Sequence, residues 1–257
     1  MAYLPPVSAN RFQLSSVLPD RAQRVVIYGP PGVGKTTLAA HWPNPVLIDA
    51  EHGADNLQQI MTLGSPASGE EALAMVSWVA QYGNQNGVKT LVIDSIDAIE
   101  PIIWRDLCLE NAKPSIEAFD FGRGYAMARD RIQGILGALD ECIKQNIEVV
   151  IIAHATIETV KDPTGQDYQR YGIALQRRTA ETLVRWSDSI LFLDLAKSVR
   201  VDRTTKTAKA IGDGDRVIYT AQRPSALAKS RRPLPDEIDI GTDSTFAAFF
   251  NLWGFKG

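Results

Sequence analysis

Apolar residues in this chain form short continuous runs, separated by longer stretches in which apolar positions recur every three or four residues. Short β-branched and aliphatic runs are typical of strands buried on both faces, and the longer period is typical of amphipathic helices. The predicted strands are at 24–28, 46–48, 90–93, 148–153 and 189–193. The predicted helices are at 35–41, 70–82, 96–109 (with its start near Pro101), 125–145, 179–186 and 246–253. This alternation predicts an α/β fold with a mainly parallel sheet covered by helices on both faces.

Polar stretches and the C-terminal part of the chain complete this prediction. Residues 156–176 are polar and are predicted to form a mobile loop. Beyond residue 197, two short apolar runs at 199–201 and 216–219 are predicted to pair as a hairpin around the turn at 212–214. We therefore predict an N-terminal arm, a core and a small β-rich extension with a basic stretch and a terminal helix, at 1–22, 23–197 and 198–257.

Composition narrows the class of protein. The 257 residues, 45% of them hydrophobic, suit one α/β domain with additions. A net charge of -3 argues against a uniformly basic DNA-coating protein, so any nucleic-acid surface must be a local patch. Cys108 and Cys142 lack metal-type spacing and are expected to be buried thiols. The sequence shows neither a signal peptide nor a long apolar span, so we expect a cytoplasmic protein that does not enter membranes.

The pattern G-x-x-x-x-G-K-T lies between the first predicted strand and the first predicted helix. Such a phosphate-binding loop surrounds a triphosphate with backbone N–H groups. Lys35 is expected to reach the β- and γ-phosphates, and the Thr36 hydroxyl is expected to hold Mg²⁺. A glycine-rich turn with a stray lysine is the alternative, which the strand and helix around it argue against. The predicted ATP-binding residues are Gly29, Pro30, Pro31, Gly32, Val33, Gly34, Lys35, Thr36 and Thr37.

Two acids follow predicted strands. Asp94 ends the third strand, where a carboxylate can bind the Mg²⁺ of a P-loop enzyme, although it could also cap the next helix. Glu51 follows the second strand, where a carboxylate can deprotonate the attacking water. A solvated loop glutamate is the alternative for Glu51.

Both acids lie in segments that resemble the bacterial RecA strand-exchange ATPases. Residues 46–55 are similar to the RecA segment that carries the catalytic glutamate, and residues 91–98 are similar to its Walker B strand. The ordered resemblance covers about residues 24–194. It implies that Glu51 is the water-activating base and that Asp94 is the acid associated with Mg²⁺.

Residues 149–155 make the chain most similar to the short RecA-core ATPases of phages, which support single-strand annealing and recombination. RecA has a glutamine at the end of this strand, which senses the γ-phosphate and relays its presence to a DNA-binding loop. The resemblance places His154 at this position, where a histidine could add pH sensitivity. A strand-end histidine with no signalling role is the alternative.

The same resemblance implies two DNA-contacting loops, at about 111–124 and 156–178. Aromatic side chains interleaved with lysine and arginine suit stacking on unpaired bases. Solvated loops with core-packing aromatic residues are the alternative. The predicted DNA-binding residues are Phe119, Arg123, Lys161, Tyr168, Arg170, Arg177 and Arg178.

Residues 229–231 resemble the paired lysines with which RecA reaches ATP on a neighbouring subunit. On this resemblance Lys229 and Arg231 act in trans, with Arg223 as a second candidate, and activity requires a homo-oligomer. A solvated or DNA-facing basic stretch is the alternative. Phe12 resembles the aromatic residue that RecA-like subunits insert into a neighbour, although local packing would also explain it.

The resemblance thus implies an ATPase that uses Mg²⁺ and acts on single-stranded DNA in recombination or annealing. A homo-oligomer, as a ring or a filament, and a single-strand-binding protein are the expected partners. A replicative helicase or a helicase loader is the first alternative, although the β-rich tail differs from the helical lid of AAA+ loaders. A nucleotide-gated signalling or scaffold ATPase with no DNA role is the second.

Overall fold

The computed structural model describes residues 21–53, 60–163, 165–196, 198–201, 208–211 and 214–254. Most of the predicted N-terminal arm, including Phe12, lies outside the described residues, as do residues 212 and 213 of the predicted turn. None of the helices in these ranges combines the length and the apolar composition that a bilayer span requires.

Strands and helices alternate through the first two thirds of the chain. The strands are β1 Arg24–Gly29, β2 Pro45–Asp49, β3 Met61–Gly64, β4 Thr90–Asp94, β5 Glu148–Val160, β6 Tyr168–Ile173, β7 Ser189–Leu195, β8 Ser198–Val201, β9 Ala208–Ile211, β10 Arg216–Tyr219 and β11 Glu237–Gly241. The helices are α1 Lys35–Ala40, α2 Gly69–Tyr82, α3 Ile96–Glu110, α4 Arg123–Lys144, α5 Arg177–Trp186 and α6 Ala247–Trp253.

The main sheet has the strand order β11-β10-β7-β1-β5-β4-β2-β3. The strands from β7 to β3 run parallel to one another, whereas β10 and β11 are antiparallel additions at one edge. Strand β5 lies between β1 and β4, so the ends of these three strands are neighbours at one edge of the sheet. This mixed, mostly parallel sheet confirms the predicted α/β fold of a P-loop nucleotide-binding core.

Both faces of the sheet are covered by helices. Side chains of a strand alternate between the two faces, so each buried strand contributes apolar residues to both. Val26 and Tyr28 of β1 pack in the core beneath α2, α3 and α4. Val25 and Ile27 pack on the other face, beneath α1 and α6. The ring of Trp42 lies 5.9 Å from that of Trp253 there, so the C-terminal helix closes the face that carries α1.

The predicted mobile loop at 156–176 is instead largely a β-hairpin. Strand β5 continues past His154 and pairs antiparallel with β6, from Ala155 opposite Ile173 to Val160 opposite Tyr168. Threonine, isoleucine and valine in this part of β5 favour strand structure, although its polar residues suggest a loop. The β5–β6 hairpin (residues 155–160 paired with 168–173) therefore extends from the same strand that ends the parallel ladder.

The predicted pairing of 199–201 with 216–219 is wrong. Strand β8 pairs with β9, and β10 enters the main sheet between β7 and β11. Val217 and Ile218 of β10 are both buried, and consecutive residues of a strand face opposite sides. Both side chains can be buried only where the strand is covered on both of its faces. The main sheet provides such a position.

Helix α3 begins at Ile96 rather than near Pro101. Pro101 lies inside the helix and, lacking an N–H group, leaves the carbonyl of Asp97 without its helical hydrogen bond. Ile99, Ile103 and Leu107 are fully buried on the inner face of this helix. Their packing stabilises a helix that the local proline signal would have shortened.

Candidate active site

The phosphate-binding loop leaves β1 at a position that only glycine can occupy. A Cβ atom on Gly29 would lie 2.1 Å from the carbonyl oxygen of Leu193 on the adjacent strand β7. Gly34, which precedes α1, has a φ of +97°, in the left-handed region that favours glycine. These two glycines therefore let the chain pass tightly from β1 into α1.

Lys35 lies inside this loop. Its side chain is buried, and Nζ donates hydrogen bonds to the carbonyl oxygens of Gly29 at 3.1 Å and Pro30 at 3.0 Å. Burial lowers the pKa of Lys35, while the nearby carboxylates of Asp94, Glu51 and Asp97 oppose that shift. The ammonium group thus lies within the loop and close to the acids of the neighbouring strands.

The loop and strand β4 meet through Thr36 and Asp94. The Thr36 hydroxyl donates to Asp94 Oδ2 at 2.5 Å. Burial raises the pKa of Asp94 to about 6, and the hydrogen bond from Thr36 partly opposes this rise. A hydroxyl and a carboxylate at adjoining positions are the oxygen donors that Mg²⁺ prefers, so this pair fits the metal of a P-loop site.

A cluster of Glu51, Ser95, Asp97 and His154 lies beside that pair. Glu51 Oε1 accepts a hydrogen bond from the Ser95 hydroxyl and lies 3.2 Å from Nδ1 of His154. Asp97 Oδ2 lies 2.8 Å from the same ring nitrogen, and Asp97 Oδ1 accepts the backbone N–H of His154 at 2.9 Å. The donor atoms of Glu51, Asp97 and His154 lie within 4.8 Å of one another, so their donor set could also hold a divalent metal ion.

The sheet topology explains why these residues meet. Gly29 of β1 is the register partner of His154 in β5, and Asp49 of β2 is the partner of Asp94 in β4. The backbone N–H of Glu51 also bonds to the carbonyl of Asp94 at 3.3 Å. The structure therefore brings Lys35, Thr36, Asp94, Glu51 and His154 to one edge of the sheet.

Asp97 and Arg216 also lie at this edge, although neither was predicted from the sequence as a site residue. Asp97 lies in the first turn of α3, three residues after Asp94. This closeness in sequence to the acid of β4 was the feature that could have identified it as a site residue. The Arg216 guanidinium lies 3.5 Å from where a Cβ on Gly34 would be and 5.4 Å from the ring centre of Phe246. No sequence signal placed Arg216 beside the loop, because it reaches this position through the pairing of β10 with β7.

The predicted DNA-binding residues fall into two groups. Phe119 is only 7% exposed and packs in the main core, so the prediction that its ring stacks on bases is wrong for this conformation. The others are accessible. Arg123 begins α4, the hairpin carries Tyr168 and Arg170, and Lys161, Arg177 and Arg178 are exposed residues that follow β5 or begin α5.

Two of these arginines are already paired within the chain. Arg170 pairs with Glu158 at 2.7 Å across the hairpin, and Arg177 pairs with Glu181 at 3.2 Å along α5. A groove of about 830 Å³ between the hairpin and α5 is lined by residues that include Lys161, Arg170 and Arg177. Three of the four cations predicted from the second loop are thus gathered around one groove, whereas Arg178 faces a neighbouring pocket lined by Arg129 and Arg185.

The predicted trans-acting cations have partners within the chain. Lys229 Nζ donates to the carbonyl oxygens of Val184 at 2.5 Å and Ser187 at 2.7 Å, at the end of α5. Burial lowers the pKa of Lys229. Arg231 pairs with the buried Asp188 at 2.9 Å. These contacts lie near the start of β7, at the opposite edge of the sheet from the phosphate-binding loop.

Arg223 is also paired. Its Nη2 lies 2.7 Å from Glu237 Oε2, and its guanidinium stacks 4.5 Å from the ring centre of Tyr219. The trans roles of Lys229, Arg231 and Arg223 stay predictions, and within one chain these cations stabilise the fold.

A phosphate-binding loop, its buried lysine and a Thr36–Asp94 pair at the edge of a parallel sheet define a P-loop nucleotide-binding site. A family model described as an AAA domain matches residues 21–232, and the chain belongs to this family. No curated protein matches the chain. The family supports ATP binding and hydrolysis with Mg²⁺ in general and does not indicate a DNA role.

Proposed function

We propose that this protein hydrolyses ATP at the site of Lys35, Thr36, Asp94 and Glu51, and that ATP controls its grip on single-stranded DNA in recombination or strand annealing. The contact of 2.5 Å between Thr36 and Asp94 carries the first part, because it joins the phosphate-binding loop to the acid of β4. The continuity of His154 with the β5–β6 hairpin supports the second part.

Each group at the site has a chemical role in this proposal. Lys35 binds the β- and γ-phosphates, and Thr36 and Asp94 hold Mg²⁺, which neutralises charge that develops on the γ-phosphate. Glu51 takes the proton of the attacking water, a role that typically contributes about 10²- to 10⁴-fold to the rate. His154 lies beside Glu51, where its contacts can differ between the ATP and ADP states.

The surface beyond the site has the chemistry that single-stranded DNA requires. Lys161, Arg170 and Arg177 around the groove provide positive charge, and Tyr168 adds an aromatic ring. The pair of Arg177 and Glu181 is on the surface, where an ion pair typically contributes less than about 1 kcal/mol. Phosphates of a DNA strand can therefore replace Glu181 at little cost.

Self-assembly and partners belong to the same proposal. We expect a homo-oligomer, as a ring or a filament, and a single-strand-binding protein on the same DNA. Sedimentation with Mg²⁺ and a slowly hydrolysed ATP analogue tests the first expectation. A monomer at all concentrations, with and without DNA, would contradict it.

The experiment that tests the function is ATP turnover with Mg²⁺ alone, with single-stranded DNA and with duplex DNA, at two salt concentrations. We expect stimulation by single strands that weakens at higher salt. Lys35→Ala should abolish binding or turnover, and Glu51→Gln should retain ATP binding while turnover falls about 10²- to 10⁴-fold. A near-normal rate in Glu51→Gln would rule out its role as the base.

The DNA surface needs its own variant and a matched control. Combined Arg177→Ala and Arg178→Ala should reduce stimulation by DNA and leave turnover without DNA unchanged. Arg131→Ala is the control, since Arg131 of α4 is a surface arginine that pairs with Glu110 of α3. Equal loss of stimulation in both proteins would contradict the proposed surface.

A helicase or helicase loader is the second candidate, because the family is described as an AAA domain. ATP-dependent unwinding of duplex DNA would favour it over the recombination proposal. Turnover that no DNA alters would instead favour a signalling or scaffold ATPase.

A further inference from the structure

We propose that Asp97 is a positioning residue of the ATPase site, which fixes the ring of His154 and, through it, the carboxylate of Glu51. This inference rests on the proposed role of Glu51 as the base. It is carried by three contacts that join α3, β5 and the segment after β2 into one hydrogen-bonded cluster.

Asp97 holds His154 at two points. Oδ1 accepts the backbone N–H of His154 at 2.9 Å, and Oδ2 lies 2.8 Å from the ring nitrogen Nδ1. Two contacts from one carboxylate to the backbone and the ring of the same residue restrict rotation of that ring. The side chain of Asp97 is only 16% exposed, so water competes little for these bonds.

The surroundings of His154 also decide which nitrogen carries the proton. Nδ1 faces two carboxylate oxygens, one of Asp97 at 2.8 Å and one of Glu51 at 3.2 Å. Ionised carboxylates only accept hydrogen bonds, so Nδ1 must be a donor. Asp97 therefore keeps a donor in contact with Glu51.

Glu51 Oε1 is consequently held from two sides. The Ser95 hydroxyl donates to it from the start of α3, and the His154 ring approaches it from β5. Among the described residues, no hydrogen bond or ion pair involves the other oxygen of Glu51, which can therefore act on water. A base that must lie within hydrogen-bonding distance of its proton is sensitive to small displacements, and a shift of about 1 Å can lower a rate about 10²-fold.

An asparagine at position 97 cannot reproduce this arrangement. Asp97 accepts from two donors, whereas an amide has one accepting oxygen and one donating nitrogen. If its oxygen bonds to the backbone N–H, its NH₂ group faces Nδ1 and favours the tautomer that carries its proton on Nε2. Asp97→Asn thus removes the donor that faces Glu51 while changing the side-chain volume very little.

Helix α3 offers a matched control one turn later. Glu100 is buried, and its Oε2 accepts the backbone N–H of Gln176 at 2.9 Å. Glu100→Gln changes a buried carboxyl group on the same helix to an amide, and the amide oxygen can still accept the bond from Gln176. We expect this variant to hydrolyse ATP at close to the normal rate.

The experiment measures kcat and KM for ATP in the wild type, Asp97→Asn, Glu100→Gln, His154→Ala and the double variant Asp97→Asn/His154→Ala, with urea unfolding of each. Asp97→Asn should lower kcat about 10- to 100-fold and change KM less than about threefold. His154→Ala should lower kcat similarly, and Asp97→Asn should lower it no further in that background.

Two results would overturn the inference. One is a kcat of Asp97→Asn or of His154→Ala within about twofold of the wild type. The other is that Asp97→Asn lowers kcat by the same factor in the wild type and in His154→Ala. Asp97 would then act by a route that does not involve the ring of His154. If Asp97→Asn does not fold, His154→Ala alone decides, because it retains Asp97.

Failure of this inference differs from failure of the proposed function. A wild-type protein without turnover, or a Glu51→Gln variant with a normal rate, refutes the proposed function. A slow Glu51→Gln variant together with a normal Asp97→Asn variant refutes the positioning role alone.

Discussion

Glu148, at the start of β5, provides a test of the folded core far from the ATPase site. Its Oε2 accepts the backbone N–H of Gln23 at 2.9 Å. Burial raises the pKa of Glu148 from 4.5 to about 6, while the Gln23 N–H and the guanidinium of Arg232 oppose the rise. Compared with the unfolded chain, the folded protein thus stabilises the neutral carboxyl group relative to the ionised one.

The magnitude follows from the two pKa values. A difference of about 1.5 corresponds to about 2 kcal/mol, because each pKa unit is equivalent to 1.36 kcal/mol. Well below pH 4.5 the group is neutral in both the folded and the unfolded state, so it does not change the free energy of unfolding. As the pH rises from 4.5 through 6, the unfolded chain ionises more readily, so the free energy of unfolding falls by up to about 2 kcal/mol.

Glu148→Gln should remove this pH-dependent cost. We expect the variant to be more stable than the wild type by up to about 2 kcal/mol at pH 8, with the difference disappearing near pH 4. Urea unfolding across this pH range measures it, with Glu141→Gln as the control, since Glu141 is an exposed residue that pairs with Lys144. A stability difference that does not vary with pH would refute the reasoning.

Variants at two further residues, Tyr28 and Arg216, test contacts that β1 and the phosphate-binding loop make with the rest of the chain. Tyr28→Phe should lower the free energy of unfolding by about 1–3 kcal/mol in urea titrations, because the hydroxyl donates to the carbonyl of Leu227 at 2.6 Å; unchanged stability would contradict this. Arg216→Ala should raise the KM for ATP about tenfold, with Arg216→Lys between the two, because a cation beside Gly34 can bind a phosphate. The same KM in all three proteins would mean that Arg216 does not contact the nucleotide.

The parts of the fold that follow from local pattern were predictable. The strand of Val25 to Tyr28 is buried on both faces and therefore appears as a continuous apolar run. The phosphate-binding loop combines glycines, a lysine and a threonine at fixed spacing, so its place between β1 and α1 was also predictable. The carboxyl ends of parallel strands meet at one edge, which placed Asp94 and Glu51 near the loop.

Features that depend on distant pairing were not predictable. Arg216 reaches the loop only because β10 pairs with β7, and the sequence instead suggested a pairing with 199–201. Asp97 faces His154 across 57 positions of sequence, and no local pattern records that contact. Phe119 resembles an exposed loop aromatic in sequence, yet Gly124 allows α4 to begin so close to it that the ring is enclosed.

Strand β5 is one continuous strand with two surroundings, a parallel ladder up to His154 and a two-stranded antiparallel ribbon after it. Six residues, from Ala155 to Val160, extend beyond the sheet, a length of about 20 Å. Over a length of about 20 Å, a rotation of about 10° at His154 moves the end of β5 by about 3.5 Å, roughly the rise of one strand residue. A displacement too small to disturb the sheet is therefore large enough to change which side chains of the hairpin meet the groove.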